Sequence, residues 1–182
     1  MNQPWYQKLF GRAQNAGREI NETKAGSGDA EAQFSLGLMY ANSEGGAQDY
    51  AQAAQWYRKA ADQSHALAQF NLGVMYAQGQ GVGKDEATAV MWIRKAAEQG
   101  DAGAQFNLGM RQHRASIGAL PVDALESRIE AYKWLHLAAT QGYKDSETVC
   151  GRLTISMTRE DVANGNHRAA DFTAGKLKPI QA

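Results

Sequence analysis

Cysteine is almost missing from this chain. Cys150 stands alone among 182 residues, so no internal disulfide can close and no cysteine-based zinc cluster can form. An excess of either charge is missing too: nineteen basic residues face nineteen acidic ones. A nucleic-acid-binding chain ordinarily carries a basic excess, so nucleic acid is set aside as a partner. No apolar run approaches the ~20 residues of a membrane-spanning helix, and a membrane is set aside with it. Residues 1–12 hold Asn2, Gln3, Gln7 and Lys8 and no continuous apolar stretch, unlike a secretory leader, so the expected location is cytoplasmic. With 43% hydrophobic and 21% charged residues, the chain has the ordinary composition of a folded domain or a short repeat array.

What the chain has instead is repetition. Gln69-Phe70-Asn71-Leu72-Gly73-Val74-Met75-Tyr76 stands 36 residues after Gln33-Phe34-Ser35-Leu36-Gly37-Leu38-Met39-Tyr40 and 36 before Gln105-Phe106-Asn107-Leu108-Gly109-Met110. A second marker, Trp56-Tyr57-Arg58-Lys59-Ala60-Ala61, recurs after 36 residues at Trp92 and after a further 42 at Trp134. Six residues are therefore inserted in the third copy. A fixed period in the mid-thirties signals stacked supersecondary units, each too small to bury its apolar face alone.

The copies are read at residues 28–63, 64–99 and 100–141, the last with an insertion near residues 113–127. Each opens with a helix carrying two adjacent apolar stripes, such as Ala32-Leu36-Tyr40 and Phe34-Gly37-Ala41, as an element packed on both flanks requires. The small residues Ala32 and Gly37 mark a close helix approach. Asp29, Asp49, Asp85 and Asp101 sit where helix N-caps are needed. In the second copy His65 takes the aspartate's place, and Ser64 is expected to cap instead. The second helix of copy one should bury Ala53, Trp56, Ala60 and Ala61, and Arg58 and Lys59 suit its negative C-terminal end.

In the third copy Arg111 and Gln112 replace the Met-Tyr pair. The insertion beside them, carrying Pro121, suggests a rerouted first helix with Ile117 or Leu120 filling the tyrosine's space. Residues 142–174 read as a closing helix pair with Thr158 as a cap and Val162, Ala169, Ala170 and Phe172 as apolar residues, and residues 175–182 as a loose tail. Residues 1–27 read as an N-terminal helix, striped by Trp5, Leu9, Phe10, Ala13, Ala16 and Ile20. It is either a decayed half-repeat capping the stack or a leader held by Trp5 and Phe10.

Catalytic signals are thin. Gly79-Gln80-Gly81-Val82-Gly83-Lys84 has a phosphate-loop look, but Gln78 stands where that motif needs glycine, Asp85 where it needs Ser or Thr, and a helix precedes it rather than a strand. The four histidines, His65, His113, His136 and His167, have no ligand spacing, and His136 aligns with the solvent-side Arg94. Cys150 aligns with the core positions Leu36 and Leu108, which suits a buried inert thiol. No catalytic residue, metal ligand or cofactor site is assigned.

The pattern Gly-Asp-Ala-x-Ala-Gln-Phe-x-Leu-Gly-x-Met-Tyr, a glycine turn, then Asp-x-x-x-Ala-x-x-Trp-x-x-Lys-Ala-Ala resembles the Sel1-like repeat, a relative of the tetratricopeptide repeat. The resemblance covers roughly residues 28–172 and implies an all-α fold, a right-handed α/α superhelix or solenoid, used as a protein-binding scaffold and most often bacterial. The family's cysteine-rich secreted members hold each repeat with a disulfide, and the lone Cys150 places this chain outside that branch.

Arrays of this kind bind on the concave face of their first helices. The positions between the packed stripes there are Glu31, Ser35, Leu38 and Asn42, then Leu67, Asn71, Val74 and Gln78, then Gly103, Asn107, Met110 and Arg114. Leu38, Val74 and Met110 would form an apolar line. Asn71 and Asn107 would bond a peptide backbone, and Arg111 and Arg114 would meet an acidic group. The competing reading makes the three apolar residues ordinary packing and the asparagines solvated. The expected partner is a protein or peptide, and the chain itself a monomer or weak homodimer. A dedicated inhibitor of one toxin or effector is the alternative function, and an enzyme the remote one.

Overall fold

The computed structural model describes residues 21–42, 48–117 and 120–177. The N-terminal stripe from Trp5 to Ile20, the turn at Gly45 and Gly46 and the last five residues lie outside them. The chain divides into two compact units, Met1–Ala96 and Ala97–Ala182, and every described element is helix, turn or loop.

In the first unit residues 21–26 are helical. Then come α1 (Ala30–Ala41), α2 (Tyr50–Asp62), α3 (Ala66–Gln78) and α4 (Glu86–Gln99), the last running across the division. The aspartates start these helices as their chemistry dictates. Each accepts the backbone N–H three residues on: Asp29 from Ala32 at 2.7 Å, Asp49 from Gln52 at 3.0 Å and Asp85 from Thr88 at 3.1 Å. For α3 the expectation fails. The cap is His65 itself, whose Nδ1 accepts from Ala68 N at 3.2 Å, while Ser64 takes the left-handed turn position at φ 66°. A neutral imidazole offers one acceptor nitrogen and one donor. Here the donor, Nε2, faces the Glu31 carboxylate at 3.0 Å, which fixes the tautomer the cap needs.

The glycines of the rejected phosphate loop do turn work. Gly79 ends α3 with φ 72°, and Gly81, at φ 66°, runs against the backbone of Tyr50 where any Cβ would collide. Gly37 and Gly73 let paired helices touch: a Cβ on Gly37 would lie 2.5 Å from the Tyr57 ring, and one on Gly73 2.7 Å from Ile93 and 3.0 Å from Ala89 O. The core between the pairs joins Phe34, Ala53, Tyr57, Ala60, Leu72, Met75 and Trp92.

Tyr57, not Trp56, is the buried aromatic of α2. Trp56 is half-buried and packs against the cluster of Ala25, Ala32 and Leu36. Its indole carries the Lys59 ammonium 3.9 Å from the ring centroid, and Lys95 repeats this on Trp92 at 4.3 Å. Arg58 does more than sit near a helix end. Its guanidinium lies over the Tyr76 and Trp92 rings and donates to the Tyr76 hydroxyl.

A polar device runs through the buried layers. Gln33, Gln69 and Gln105 are each at most 5% exposed. Each donates its side-chain amide to the carbonyl eight residues back, of Ala25, Ala61 and Ala97 respectively, at 3.0–3.2 Å. Buried polar groups must find partners. Gln33 and Gln105 find a second one, accepting from Gln63 and Gln141 at 2.8 Å.

The second unit holds α5 (Ala102–Ser116), α6 (Pro121–Thr140), α7 (Ser146–Thr154) and α8 (Arg159–Leu177). Gly109 meets Leu135 as Gly73 meets Ile93. The insertion does not reroute the first helix. It lengthens both members of the pair, to 15 residues in α5 and 20 in α6, against 12 to 14 in the first unit's helices. Ile117 and Leu120 fill no space: they are 71% and 74% exposed at the connection. Two continuous helices satisfy their own backbone, whereas a rerouted segment would need new partners.

Thr158 caps α8, with Asp161 N donating to its hydroxyl at 3.1 Å and Thr158 N donating back to the Asp161 carboxylate at 2.9 Å. Along α8, Ala169 is buried and Phe172 meets Trp134 edge-on at 5.2 Å, but Ala170 is exposed.

Arg168 pins α8 to α6 through Glu126 and Glu130. Its hydrogen bond holds the Glu126 carboxyl below the usual carboxylate range. A carboxylate with a depressed folded pKa stabilises at neutral pH, and the gain is lost as pH falls through that pKa. Replacing Arg168 by methionine is therefore expected to cost up to about 1 kcal/mol at neutral pH, a small value because the carboxylate is mostly solvated. The gap to the wild type should narrow as pH falls below the ordinary carboxylate range and close near about pH 2, once the depressed Glu126 carboxyl is protonated too. Thermal melts at both pH values check this, and a gap independent of pH would contradict it.

Candidate functional site

The first-helix positions singled out by sequence are placed unit by unit. In the first unit Leu38 is half-buried and packs against the core cluster, Val74 and Ser35 are half-buried, and Leu67 remains 47% exposed. Asn42 and Gln78 are exposed at the ends of α1 and α3. Glu31 is exposed and engaged by His65, whose ring also stacks on Phe34 at 4.6 Å. Asn71 bonds the Tyr57 hydroxyl; burial, opposed only in part by that bond, pushes the phenol up to about 12. So Asn71 already has an internal partner.

In the second unit Met110 is half-buried among Phe106, Tyr132 and Leu153. Asn107 accepts from Arg111 Nε at 2.7 Å, and Gly103 is buried. Arg111 is half-buried, and its guanidinium is the more readily deprotonated for it: burial comes first among the causes and the Arg114 charge second. Arg114 itself is exposed. The structure thus brings Asn107, Arg111 and Arg114 together on one stretch of α5.

Sequence reasoning missed the flanks of α6. His136 is not the surface residue its alignment with Arg94 suggested. It is half-buried, stacked on Tyr132 with ring centroids 5.7 Å apart and planes at 10°. One cleft of about 440 Å³ runs along α6 and α7, lined by Tyr132, His136, Thr140, Glu147 and Cys150, and one of about 490 Å³ along α6 and α8, lined by His136, Thr140, Ala169 and Thr173. Tyr132 Oη donates to Asn166 at 3.0 Å. Burial pushes the Cys150 thiol up to about 11, so at neutral pH it is protonated and a poor nucleophile. Among the described residues no group of three His, Cys, Asp or Glu side chains is arranged to hold a metal ion, and no helix is long and apolar enough to cross a membrane.

Paired helices that touch through a glycine in the first and an apolar residue in the second define the class: an all-α solenoid of helix-pair repeats. The Sel1 repeat pattern matches residues 30–65, 66–101 and 102–143. The chain belongs to the Sel1 repeat family, whose members generally serve as protein-interaction scaffolds.

Among solved structures, the chain is similar to a Sel1 repeat protein from Oxalobacter formigenes, with 34% identity, a TM-score of 0.63, and coverage of 74% of this chain and 96% of that one. It is also similar to c5321, a protective antigen of uropathogenic Escherichia coli strains with an SLR fold. There the identity is 25% and the TM-score 0.56, with 94% of this chain covered and 46% of that one, so the chain spans about half the length of that antigen. Among curated proteins none matches at a significant level.

Proposed function

We propose that the chain is a non-catalytic binding module that holds a partner protein or peptide against the first helices of its repeats. One observation carries this reading: α1 and α3 keep accessible apolar surface at the 36-residue step, in Leu38 and Val74, with exposed Leu67 two turns before the latter on the same face of α3. Leu36 and Leu72, two residues earlier and so on another face of the same helices, are at most 1% exposed. The family's general use as an interaction scaffold supports the same reading, and Ser35, Asn42 and Gln78 supply polar groups around these side chains.

Asn71 and Asn107 serve less well as ligand donors than their spacing suggests, since each is taken by a neighbour. The apolar side chains, with Met110 and the Arg111–Arg114 pair in the second unit, are the stronger candidates.

The test is capture from the native cell extract with the wild-type chain and with a Leu67→Ser/Val74→Ser variant, followed by titration of the purified partner. Both side chains reach solvent, so the fold should survive. The variant is expected to bind at least roughly tenfold more weakly, as losing two interface anchors implies. Unchanged affinity would sink the assignment of this face.

A further inference from the structure

The helix α7 is too short to cover the pair it lies on. It has 9 residues, about 14 Å at 1.5 Å per residue, against 15 in α5 and 20 in α6. Its cover reaches Met110 on α5 and Tyr132 on α6, which share one apolar cluster with Val149, Leu153 and Met157. Helical steps of three and four carry these two faces further, through Arg114 to Ile117 on α5 and through Arg128 to Leu125 on α6. The four-residue connection between the helices makes them antiparallel, so both continuations run to the same end. The α7–α8 turn is fixed there, because Arg128 Nη1 donates to Ser156 O at 3.1 Å.

At this end Ile117, Leu120, Leu125 and Ile155 are 71%, 74%, 37% and 86% exposed. A set of large apolar side chains left in water together marks an interaction surface.

The surrounding charge says what fits. Arg114 is exposed, and among the described residues no acidic side chain pairs with it. Arg152, exposed, closes α7. Arg128 has its Nε buried with no acceptor among the described residues. Of the carboxylates nearby, Glu126 is held by Arg168, and Asp161, which accepts from Thr158 N, is the one whose charge reaches Arg128. Asp123 is exposed in the first turn of α6, two residues from Leu125 and so on a different face.

We propose that this end of the second unit docks an acidic amphipathic segment of a partner protein. Its apolar side chains rest on Ile117, Leu125 and Ile155, and its carboxylates meet Arg114 and Arg128. The inference rests on the reading of the chain as a binding module and adds a place and a partner chemistry to it.

The test is selection from a phage-displayed library of random-sequence peptides on the full chain, then fluorescence anisotropy of the winners. The comparison variants are Ile117→Ser/Leu125→Ser/Ile155→Ser and, separately, Arg114→Glu, each checked for helicity by circular dichroism. Winners are expected to combine Leu, Ile or Phe with an excess of Asp and Glu, to weaken as salt screens the charges, and to bind either variant at least roughly tenfold more weakly. Winners without acidic excess, no winners, or equal binding to the serine variant would overturn the proposal. So would sedimentation showing a wild-type dimer that the serine variant breaks, since a second copy would then be the occupant. Winners that ignore the serine variant but are lost with Leu67→Ser/Val74→Ser would leave the module reading standing and remove only this one.

Discussion

Replacing Gly73 by alanine is expected to lower the thermal midpoint by roughly 10 °C. The added Cβ would lie 2.7 Å from Ile93 Cγ1, 3.0 Å from Ala89 O and 3.1 Å from Ile93 N. Two of the three are backbone atoms of α4, so no rotamer change relieves the contact and the helix axes must part. Overpacking of a tight core costs about 1–3 kcal/mol, and backbone involvement places this case at the top of that range. Alanine regains about 1 kcal/mol of helix propensity. The clash wins, for a net loss near ~2 kcal/mol, and a unit of this size loses about 4–8 °C per kcal/mol.

Gly151 makes the internal control. By sequence register it corresponds to Gly37, yet a Cβ there meets nothing within 4 Å. Gly151→Ala should keep the propensity gain and raise the midpoint slightly. Melting both variants by far-ultraviolet circular dichroism decides the matter. A Gly73→Ala protein as stable as the wild type would mean that the helices are not in fact held at that approach.

The second large effect concerns Cys150. At pH 8 a thiol raised from 9.0 to about 11 carries roughly a hundredth of the usual thiolate, the reactive form. At 7% exposure the sulfur is also poorly accessible. Alkylation by iodoacetamide in the native protein is therefore expected to run at least about 100-fold slower than in denaturant. Mass spectrometry of timed aliquots measures the ratio. Comparable rates would show an open, activated thiol and would reopen the cleft beside His136 as a reactive site.

The period, the helix pairs and the aspartate caps were legible in the sequence, because each rests on short-range chemistry that repeats in register. What escaped depends on neighbours far along the chain. Periodicity placed Trp56 in the core, but of the two adjacent aromatics Tyr57 took the inner place, against Gly37 and Phe34. His65 was passed over as a cap because its suitability depends on Glu31, 34 residues earlier. The inserted residues gave no sign that they would extend two helices rather than bend one. Within the candidate site the positions were found but not their engagements. Nothing local shows that Asn71 is held by the Tyr57 hydroxyl, or that Ile155, an unremarked residue in the last third of the chain, would stand almost wholly in solvent.

The buried glutamines bear on how such a chain can grow. Gln69 in one copy reaches the Ala61 carbonyl at the end of the copy before it, and Gln105 likewise reaches Ala97. Donor and acceptor hold the same places at both seams between the three copies, so a segment duplicated there brings along the amide for its predecessor and the carbonyl for its successor. Gene duplication can then lengthen the array without orphaning a hydrogen-bonding group at the new seam, and deletion of a whole unit is equally harmless.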